Sequence, residues 1–139
     1  HYAAITSADQ VQIYEGIMAD SDGKVTTTLL RAARYIKDNR LLPVGFKSNP
    51  QLAALDAQGE AAKDAGFSAG SHRLSLNLDL SKAQGPFTLE VNLLYQTVAY
   101  RWAENLTLQK GAEIAAFEKF YDGLPNLPLS AASASAAVK

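Results

Sequence analysis

The sequence predicts a mainly β fold, an antiparallel, β-sandwich-like domain with short helices at its edges and a C-terminal helix. Residues 72–81 and 87–98 both alternate apolar and polar side chains with a period of two, which is typical of strands with one buried face. Gly85 and Pro86 lie in the short segment between these runs, so the two runs predict an antiparallel hairpin. The apolar face of such a pair needs a cover, which a second sheet or the C-terminal helix would provide.

The first part of the chain predicts a strand over 10–19, followed by a turn over 20–24. Asp20, Asp22 and Gly23 partly match a calcium-binding loop. An oxygen ligand is required two residues after Asp22, and Lys24 stands there. The match therefore fails, and the segment is interpreted as a plain turn.

The segment 26–39 predicts an extended start followed by a short helix that ends near Asn39, because its apolar residues share one helical face. Residues 40–46 then predict an edge strand, since Pro43 cannot donate a hydrogen bond to a ladder. Residues 47–71 are rich in small and polar residues, and they predict a long surface excursion that is the least constrained part of the domain.

Two helical segments are predicted near the C-terminus. Residues 100–106 predict a helical turn, and residues 112–121 predict a helix with an apolar stripe that Gly123 and Pro125 end. The domain is accordingly predicted to comprise residues 1–129, with an Ala/Ser-rich tail over 130–139.

Composition excludes several classes of protein. The chain has 139 residues, of which 47% are hydrophobic and 19% charged, as expected for one folded domain. A net charge of −1 gives no reason to expect nucleic acid or an anionic membrane as partner, and no apolar run is long enough to span a bilayer. The absence of cysteine excludes disulfides, thiolate nucleophiles and covalent haem attachment within this chain. The start at His1, without Met, predicts an excised fragment or a processed chain.

No catalytic or metal-ligating residue is predicted. His72 falls on the polar face of its run and is expected to be solvated, since neither Asp64 nor Asp79 stands at a motif spacing from it. Two histidines are too few for a His-rich metal site, and the sequence contains neither a nucleophile elbow nor a phosphate loop. Three aromatic residues are candidates for partner or ligand contact, with burial in the sandwich edge as the alternative interpretation. They are Tyr95, Tyr100 and Trp102.

Several phrases of the sequence, in this order, resemble the haem-free C-terminal β-rich region of bacterial multihaem c-type cytochromes. The resemblance spans roughly residues 10–106, and it lies in the order of the phrases. The phrases are Val11-Gln12-Ile13-Tyr14-Glu15, Asp20-Ser21-Asp22-Gly23, the run over 27–43 (TTLLRAARYIKDNRLLP) and Val91-Asn92-Leu93-Leu94-Tyr95-Gln96.

The resemblance implies an exported parent protein, in the periplasm or cell envelope, whose haem c groups lie only upstream of this chain. It carries over no functional residue, because the chain lacks the Cys-x-x-Cys-His motif that defines the family. The implied role is a non-catalytic accessory or interaction domain that contacts the haem-bearing domain or a redox partner protein. Two alternatives stay open, a carbohydrate-binding module of an exported protein and a small stand-alone enzyme.

Overall fold

The computed structural model describes residues 1–138 and divides the chain into two compact units, His1–Asp79 and Leu80–Lys139. Both units combine strands with helices, and the strand pairs are antiparallel except for one parallel pair in the first unit. The prediction of an antiparallel, strand-rich chain with short helices is therefore confirmed at this level.

The first unit contains seven short strands in three small sheets. The strands are β1 (Ala4–Ile5), β2 (Gly16–Ala19), β3 (Val25–Thr26), β4 (Arg34–Asp38), β5 (Phe67–Ser68), β6 (Ser71–His72) and β7 (Ser75–Leu76). The central strand β2 pairs antiparallel with β3 on one side and β4 on the other. β5 and β6 form a tight hairpin, and β1 pairs with β7 in parallel. The strand predicted over 10–19 is confirmed only for its last four residues.

The turn between β2 and β3 confirms the prediction for residues 20–24. Asp20 Oδ1 accepts hydrogen bonds from the backbone N–H groups of Asp22, at 3.0 Å, and Lys24, at 2.9 Å. Gly23 adopts φ = +82°, a conformation that favours glycine because it has no Cβ. The carboxylate of Asp20 thus organises its own turn.

The helix predicted within 26–39 is wrong. Only Leu29–Arg31 forms a turn of 3-10 helix, and the residues after it form β4. β4 pairs along β2, with Tyr35 opposite Met18 and Lys37 opposite Ile17. Long-range pairing has therefore prevailed over the local helical spacing of the apolar residues.

The edge strand predicted over 40–46 is also wrong, because this segment is a turn. The N–H of Phe46 donates to the carbonyl oxygen of Pro43 at 3.1 Å. Gly45 adopts φ = +83°, which is incompatible with a continuous strand. Pro43 still lacks a donor, but here it begins a turn rather than an edge strand.

The segment 47–71 is more constrained than predicted. It contains two 3-10 helices, Pro50–Leu55 and Gly59–Lys63, followed by β5. Ala61 and Phe67 are buried, with exposed fractions of 2% and 8%, and they form part of the core together with Met18 and Ala19 of β2. Most of the segment is exposed, as expected of a surface excursion, but the prediction that it is the least constrained part of the domain is wrong, because it contains two 3-10 helices and two buried side chains.

The hairpin predicted from residues 72–98 is wrong, although one of its two runs is a strand. Phe87–Tyr95 forms β8, but its partner is β9 (Leu129–Val138), which pairs with it antiparallel along its whole length. The other run contributes only β6 and β7, both in the first unit. Alternation predicts which residues share a face of a strand, but it does not specify the partner strand.

The second unit also contains the two predicted helices. α1 (Tyr100–Thr107) and α2 (Ala112–Gly123) confirm both predictions, and α2 ends at Gly123 as expected. The predicted tail over 130–139 is extended and paired in β9 as far as Val138, while Lys139 lies outside the described residues. None of the helices among residues 1–138 has the length and apolar character needed to cross a membrane.

Candidate functional site

The first unit brings three titratable side chains together around one oxygen atom. The Nε2 atom of His1 lies 2.9 Å from Asp64 Oδ2, and the Nε2 atom of His72 lies 3.2 Å from the same oxygen. The two imidazole rings stack at a centroid distance of 4.9 Å. Both imidazoles are 2% exposed and the Asp64 side chain is 10% exposed, so the group is closed to solvent. We call His1, Asp64 and His72 the imidazole–carboxylate cluster.

Local backbone geometry places Asp64 and His72 side by side. Asp64 follows the 3-10 helix Gly59–Lys63, and its Oδ1 atom accepts the N–H of Gly66 at 2.7 Å. The β5–β6 hairpin then reverses the chain, with Gly70 at φ = +84° in its turn, and aligns His72 opposite Phe67. A separation of eight residues in sequence therefore becomes a hydrogen-bond distance.

Asn39 orients His1 from the end of β4. This amide is fully buried; its Oδ1 accepts the N–H of Glu15 at 2.9 Å, and its Nδ2 donates to the carbonyl oxygen of Ile13 at 2.9 Å. The same Nδ2 lies 3.1 Å from His1 Nδ1. Since the two backbone partners fix which end of the amide is nitrogen, Asn39 is a hydrogen-bond donor to His1.

Gln12 presents a second donor to the same ring nitrogen. Its Nε2 lies 3.2 Å from His1 Nδ1, while its Oε1 accepts the N–H of Tyr2 at 2.9 Å. A ring nitrogen that faces two N–H donors is an acceptor and carries no proton. The proton of the neutral His1 ring is therefore on Nε2, and it is donated to Asp64 Oδ2.

The neutral His72 ring, like that of His1, donates from Nε2 and accepts at Nδ1. The partner of its Nδ1 is a different residue. Because an ionised carboxylate can only accept, the Nε2 atom of His72 that lies 3.2 Å from Asp64 Oδ2 carries a proton, and in the neutral imidazole Nδ1 is then the acceptor. The Tyr14 hydroxyl lies 2.7 Å from this Nδ1 and donates to it. Tyr14, His72 and Asp64 thus form a directed chain of hydrogen bonds from phenol to imidazole to carboxylate.

Aromatic side chains surround the cluster. Phe67 presents its ring edge-on to both imidazoles, at centroid distances of 5.3 Å to His1 and 5.4 Å to His72. The Tyr14 ring packs edge-on against His72 at 5.7 Å. Exclusion of water strengthens hydrogen bonds of this kind. The same burial raises the pKa of the Tyr14 phenol, because it disfavours the phenolate.

The distances within the cluster are short enough for a divalent metal, but the hydrogen-bond polarity opposes one. One donor atom from each of its three residues lies within 4.8 Å of the others, and the residue types are those of zinc sites. A metal on His1 Nε2 would move the ring proton to Nδ1, where Asn39 and Gln12 both present N–H groups. Metal-bound histidines instead direct their other N–H at an acceptor. The arrangement suits N–H···O hydrogen bonds.

The aromatic residues selected from the sequence lie in the second unit, separately from the cluster. Tyr95 ends β8 and is 58% exposed, Tyr100 begins α1 and is 72% exposed, and Trp102 is 43% exposed. Two residues of a helix separated by two positions point about 200° apart, so Tyr100 and Trp102 face different directions. Their burial in a sandwich edge is not observed within this unit.

A shallow depression on the β8–β9 ribbon also contains a carboxylate. Its volume is about 300 Å³, and it is lined by Glu90, Asn92, Ser133, Ala134 and Ser135. The Ser133 hydroxyl donates to Asn92 Oδ1 at 2.8 Å. Ser133 is therefore oriented by an amide rather than by a base, and this arrangement does not activate a nucleophile.

Sequence reasoning missed the cluster. The expectation of a solvated His72 is wrong, because the His72 side chain is 2% exposed and contacts Asp64. The sequence predicts no site role for Asp64, which lacks a motif spacing to His72, and none for His1. Gly66 and Gly70, which lie between Asp64 and His72, are the available signal, since they permit the chain reversal that joins the pair.

Comparisons with known proteins found no match to this chain among protein-family models, curated proteins or solved structures.

Proposed function

We propose that this chain is a non-catalytic accessory or interaction domain of an exported multihaem c-type cytochrome, and that it contributes to electron transfer only through its parent protein. The observation that carries the interaction role is the set of large apolar side chains that the structure leaves exposed in both units. The phrase resemblance supports the parent family. Because the chain contains no cysteine, the haem c groups of this proposed parent would lie upstream, outside this chain.

The accessible surface is larger than folded units of this size require. The chain exposes 10768 Å². Two separate folded units that share 14.9 kDa in proportion to their lengths would expose about 8,400 Å² together. The excess of about 2,300 Å² is well above the roughly 800 Å² that each partner buries in a standard protein–protein interface. This surplus supports contact with a further protein body.

Large apolar side chains contribute to this surplus in both units. In the first unit Leu30 is 100% exposed and Val44 is 88% exposed. In the second unit the β8–β9 ribbon exposes Val91, Leu93 and Leu94 by 41–53%. A two-stranded ribbon is marginally stable by itself in water. We propose that a second layer covers it, and this layer would complete the sandwich that the sequence predicts.

The proposed partner is the haem-bearing domain of the same polypeptide or a redox partner protein, in the periplasm or cell envelope. The closed state of the imidazole–carboxylate cluster supports a non-catalytic role, because its buried side chains leave no position for a substrate.

The gene provides the first test. We expect the reading frame that contains this sequence to encode a signal peptide and Cys-x-x-Cys-His motifs upstream. A reading frame with neither feature would contradict a cytochrome parent. The exposed apolar side chains would then require a partner of another class.

Association provides the second test. Leu30→Ser should weaken binding of this chain to the haem-bearing part about fivefold or more, measured by haem absorbance in analytical ultracentrifugation. Arg31→Ser, at the exposed neighbouring position, is the matched control and should change binding little. Equal binding by wild type and Leu30→Ser would remove this surface from the interface.

Carbohydrate binding is the second candidate, favoured by the exposure of Tyr95, Tyr100 and Trp102. Trp102 is the only tryptophan, so its fluorescence reports directly on this surface. Titration with soluble glucan and chito-oligosaccharides should shift the emission, and Tyr100→Ala should reduce the shift more than Tyr35→Phe does. Unchanged emission at millimolar sugar would remove this candidate.

A further inference from the structure

The hydrogen-bond chain from Tyr14 to His72 to Asp64 has one direction along its whole length. The Tyr14 hydroxyl donates to His72 Nδ1 at 2.7 Å, and His72 Nε2–H donates to Asp64 Oδ2 at 3.2 Å. A phenol that is hydrogen-bonded to a base, with a carboxylate behind the base, has an acceptor positioned for its proton. The accessory role makes no use of this arrangement.

Oxidation of a tyrosine makes its phenolic proton strongly acidic. Burial disfavours the Tyr14 phenolate, so the proton does not leave before the electron. If a base already accepts the hydroxyl hydrogen bond, the proton can move to that base as the electron departs. Oxidation then passes through neither the phenolate nor the protonated phenol radical as an intermediate. The activation barrier for oxidation is therefore lower.

We propose that Tyr14 is a redox-active tyrosine and that His72 is its proton acceptor. A one-electron, outer-sphere oxidant takes an electron from the phenol, the Oη–H bond breaks and an Nδ1–H bond forms on His72. The products are a neutral tyrosyl radical, an imidazolium and the reduced oxidant. Return of an electron reverses the proton transfer and restores the phenol.

The surroundings of His72 favour it as the acceptor. Asp64 retains its hydrogen bond to Nε2–H, and its carboxylate stabilises the positive charge that His72 gains. His1 stacks on His72 but cannot accept the proton on Nδ1, because Asn39 and Gln12 already donate there. The Phe67 ring brings no charge to the group. His72 is therefore the proton-accepting member of the cluster.

Other tyrosines have less favourable surroundings. The Arg40 guanidinium lies 5.2 Å from the Tyr35 ring centroid, and this cation opposes removal of an electron. The Tyr121 hydroxyl receives a hydrogen bond from Asn126 Nδ2 at 2.7 Å, and an amide N–H cannot accept a proton. Tyr95 and Tyr100 are more than half exposed, so on oxidation their protons would go to water rather than to a positioned base. Tyr14 is partly buried and its hydroxyl contacts an imidazole acceptor.

The experiment oxidises the full chain with photogenerated tris(bipyridine)ruthenium(III) and follows the radical by freeze-quench electron paramagnetic resonance. We expect a neutral tyrosyl radical in the wild type that Tyr14→Phe removes and Tyr35→Phe retains. His72→Phe, if it folds by circular dichroism, should slow oxidation of Tyr14 at least about tenfold. A signal that is equal in wild type and Tyr14→Phe would overturn the proposal.

Two measurements on the wild type keep the test independent of the His72 variant. The oxidation rate should fall in deuterated water, because the proton moves together with the electron. Electron–nuclear double resonance should detect one exchangeable proton hydrogen-bonded to the radical oxygen. A rate without an isotope effect, or a radical without this proton, would contradict transfer to His72. Neither result depends on whether the parent protein is a cytochrome.

Discussion

The two units are stabilised in different ways. The first unit joins side chains that are far apart in sequence, so that His1, Asn39 and Asp64 belong to one buried hydrogen-bond network. The second unit depends on a regular ladder between β8 and β9 and on two helices, and among residues 80–138 Ala103 is the hydrophobic residue that is buried. Substitutions in the buried network of the first unit should therefore act through unsatisfied polar groups, and a substitution at Ala103 in the second should act through packing.

The largest expected effect comes from Asp64→Ala. The substitution leaves two buried imidazole N–H donors and the N–H of Gly66 without their acceptor, and it should destabilise the first unit by about 3–5 kcal/mol. Urea denaturation, monitored by hydrogen exchange at the amides of Glu15 and Gly66, measures the change in the free energy of unfolding. Asp22→Ala, in an exposed turn, is the control and should remain within about 0.5 kcal/mol of wild type. Comparable losses of stability in Asp64→Ala and Asp22→Ala would mean that the imidazole–carboxylate cluster contributes no more to stability than an exposed turn does.

The corresponding test in the second unit is Ala103→Leu. Ala103 is 3% exposed on α1, so three extra carbon atoms meet closely packed neighbours and should cost about 1–3 kcal/mol. Trp102 fluorescence during urea denaturation reports on this unit directly. Leu108→Ala, at a position that is 74% exposed, should have little effect. A neutral Ala103→Leu variant would show that space remains around α1.

A smaller and pH-dependent effect is expected from Tyr14→Phe. Loss of the hydrogen bond to His72 should cost about 1 kcal/mol at neutral pH. The pKa of Tyr14 is raised above 10.0 in the folded chain, so the folded state holds this proton more tightly than the unfolded state does. The stabilisation that comes from this raised pKa is fully present below pH 10.0. It is lost as the pH rises through the pKa of Tyr14 in the folded chain.

The stability of wild type and Tyr14→Phe should therefore converge in alkaline solution. Urea midpoints at neutral and alkaline pH measure this convergence. Tyr95→Phe, on the exposed end of β8, serves as the control. A constant difference between wild type and Tyr14→Phe across this range would contradict ionisation of Tyr14 as the cause.

The smallest expected effect is that of Zn²⁺, which should leave the unfolding midpoint of the first unit unchanged. A metal that binds the folded state stabilises it by RT ln(1 + [L]/Kd), or about 2.7 kcal/mol at a hundredfold excess over Kd. The proton on His1 Nε2 opposes such binding. Thermal denaturation with and without 100 µM Zn²⁺, about a hundredfold excess for a micromolar site, measures the shift. A clear rise in the midpoint that Asp64→Ala abolishes would reverse our assignment of the proton.

The parts of the fold that were predicted correctly depend on residues close together in sequence. The turn at Asp20–Lys24, the two helices and the strand at Phe87–Tyr95 all follow from local spacing and turn chemistry. The predicted helix within 26–39 failed because β4 finds its partner in β2. The predicted 72–98 hairpin failed because β9, an Ala/Ser segment with little apolar signal, is the partner of β8.

The sequence by itself determined that the chain is strand-rich, cysteine-free and nearly neutral, because these properties depend on composition and local periodicity. Only the tertiary structure decided which strands pair and which polar groups meet. Asp64, His72 and Tyr14 carry no shared motif, and His1 is 63 residues from the carboxylate that it contacts. Which ring nitrogen of His1 accepts a hydrogen bond depends on Asn39, whose own amide is oriented by the backbone of Ile13 and Glu15. No local sequence pattern specifies these buried contacts.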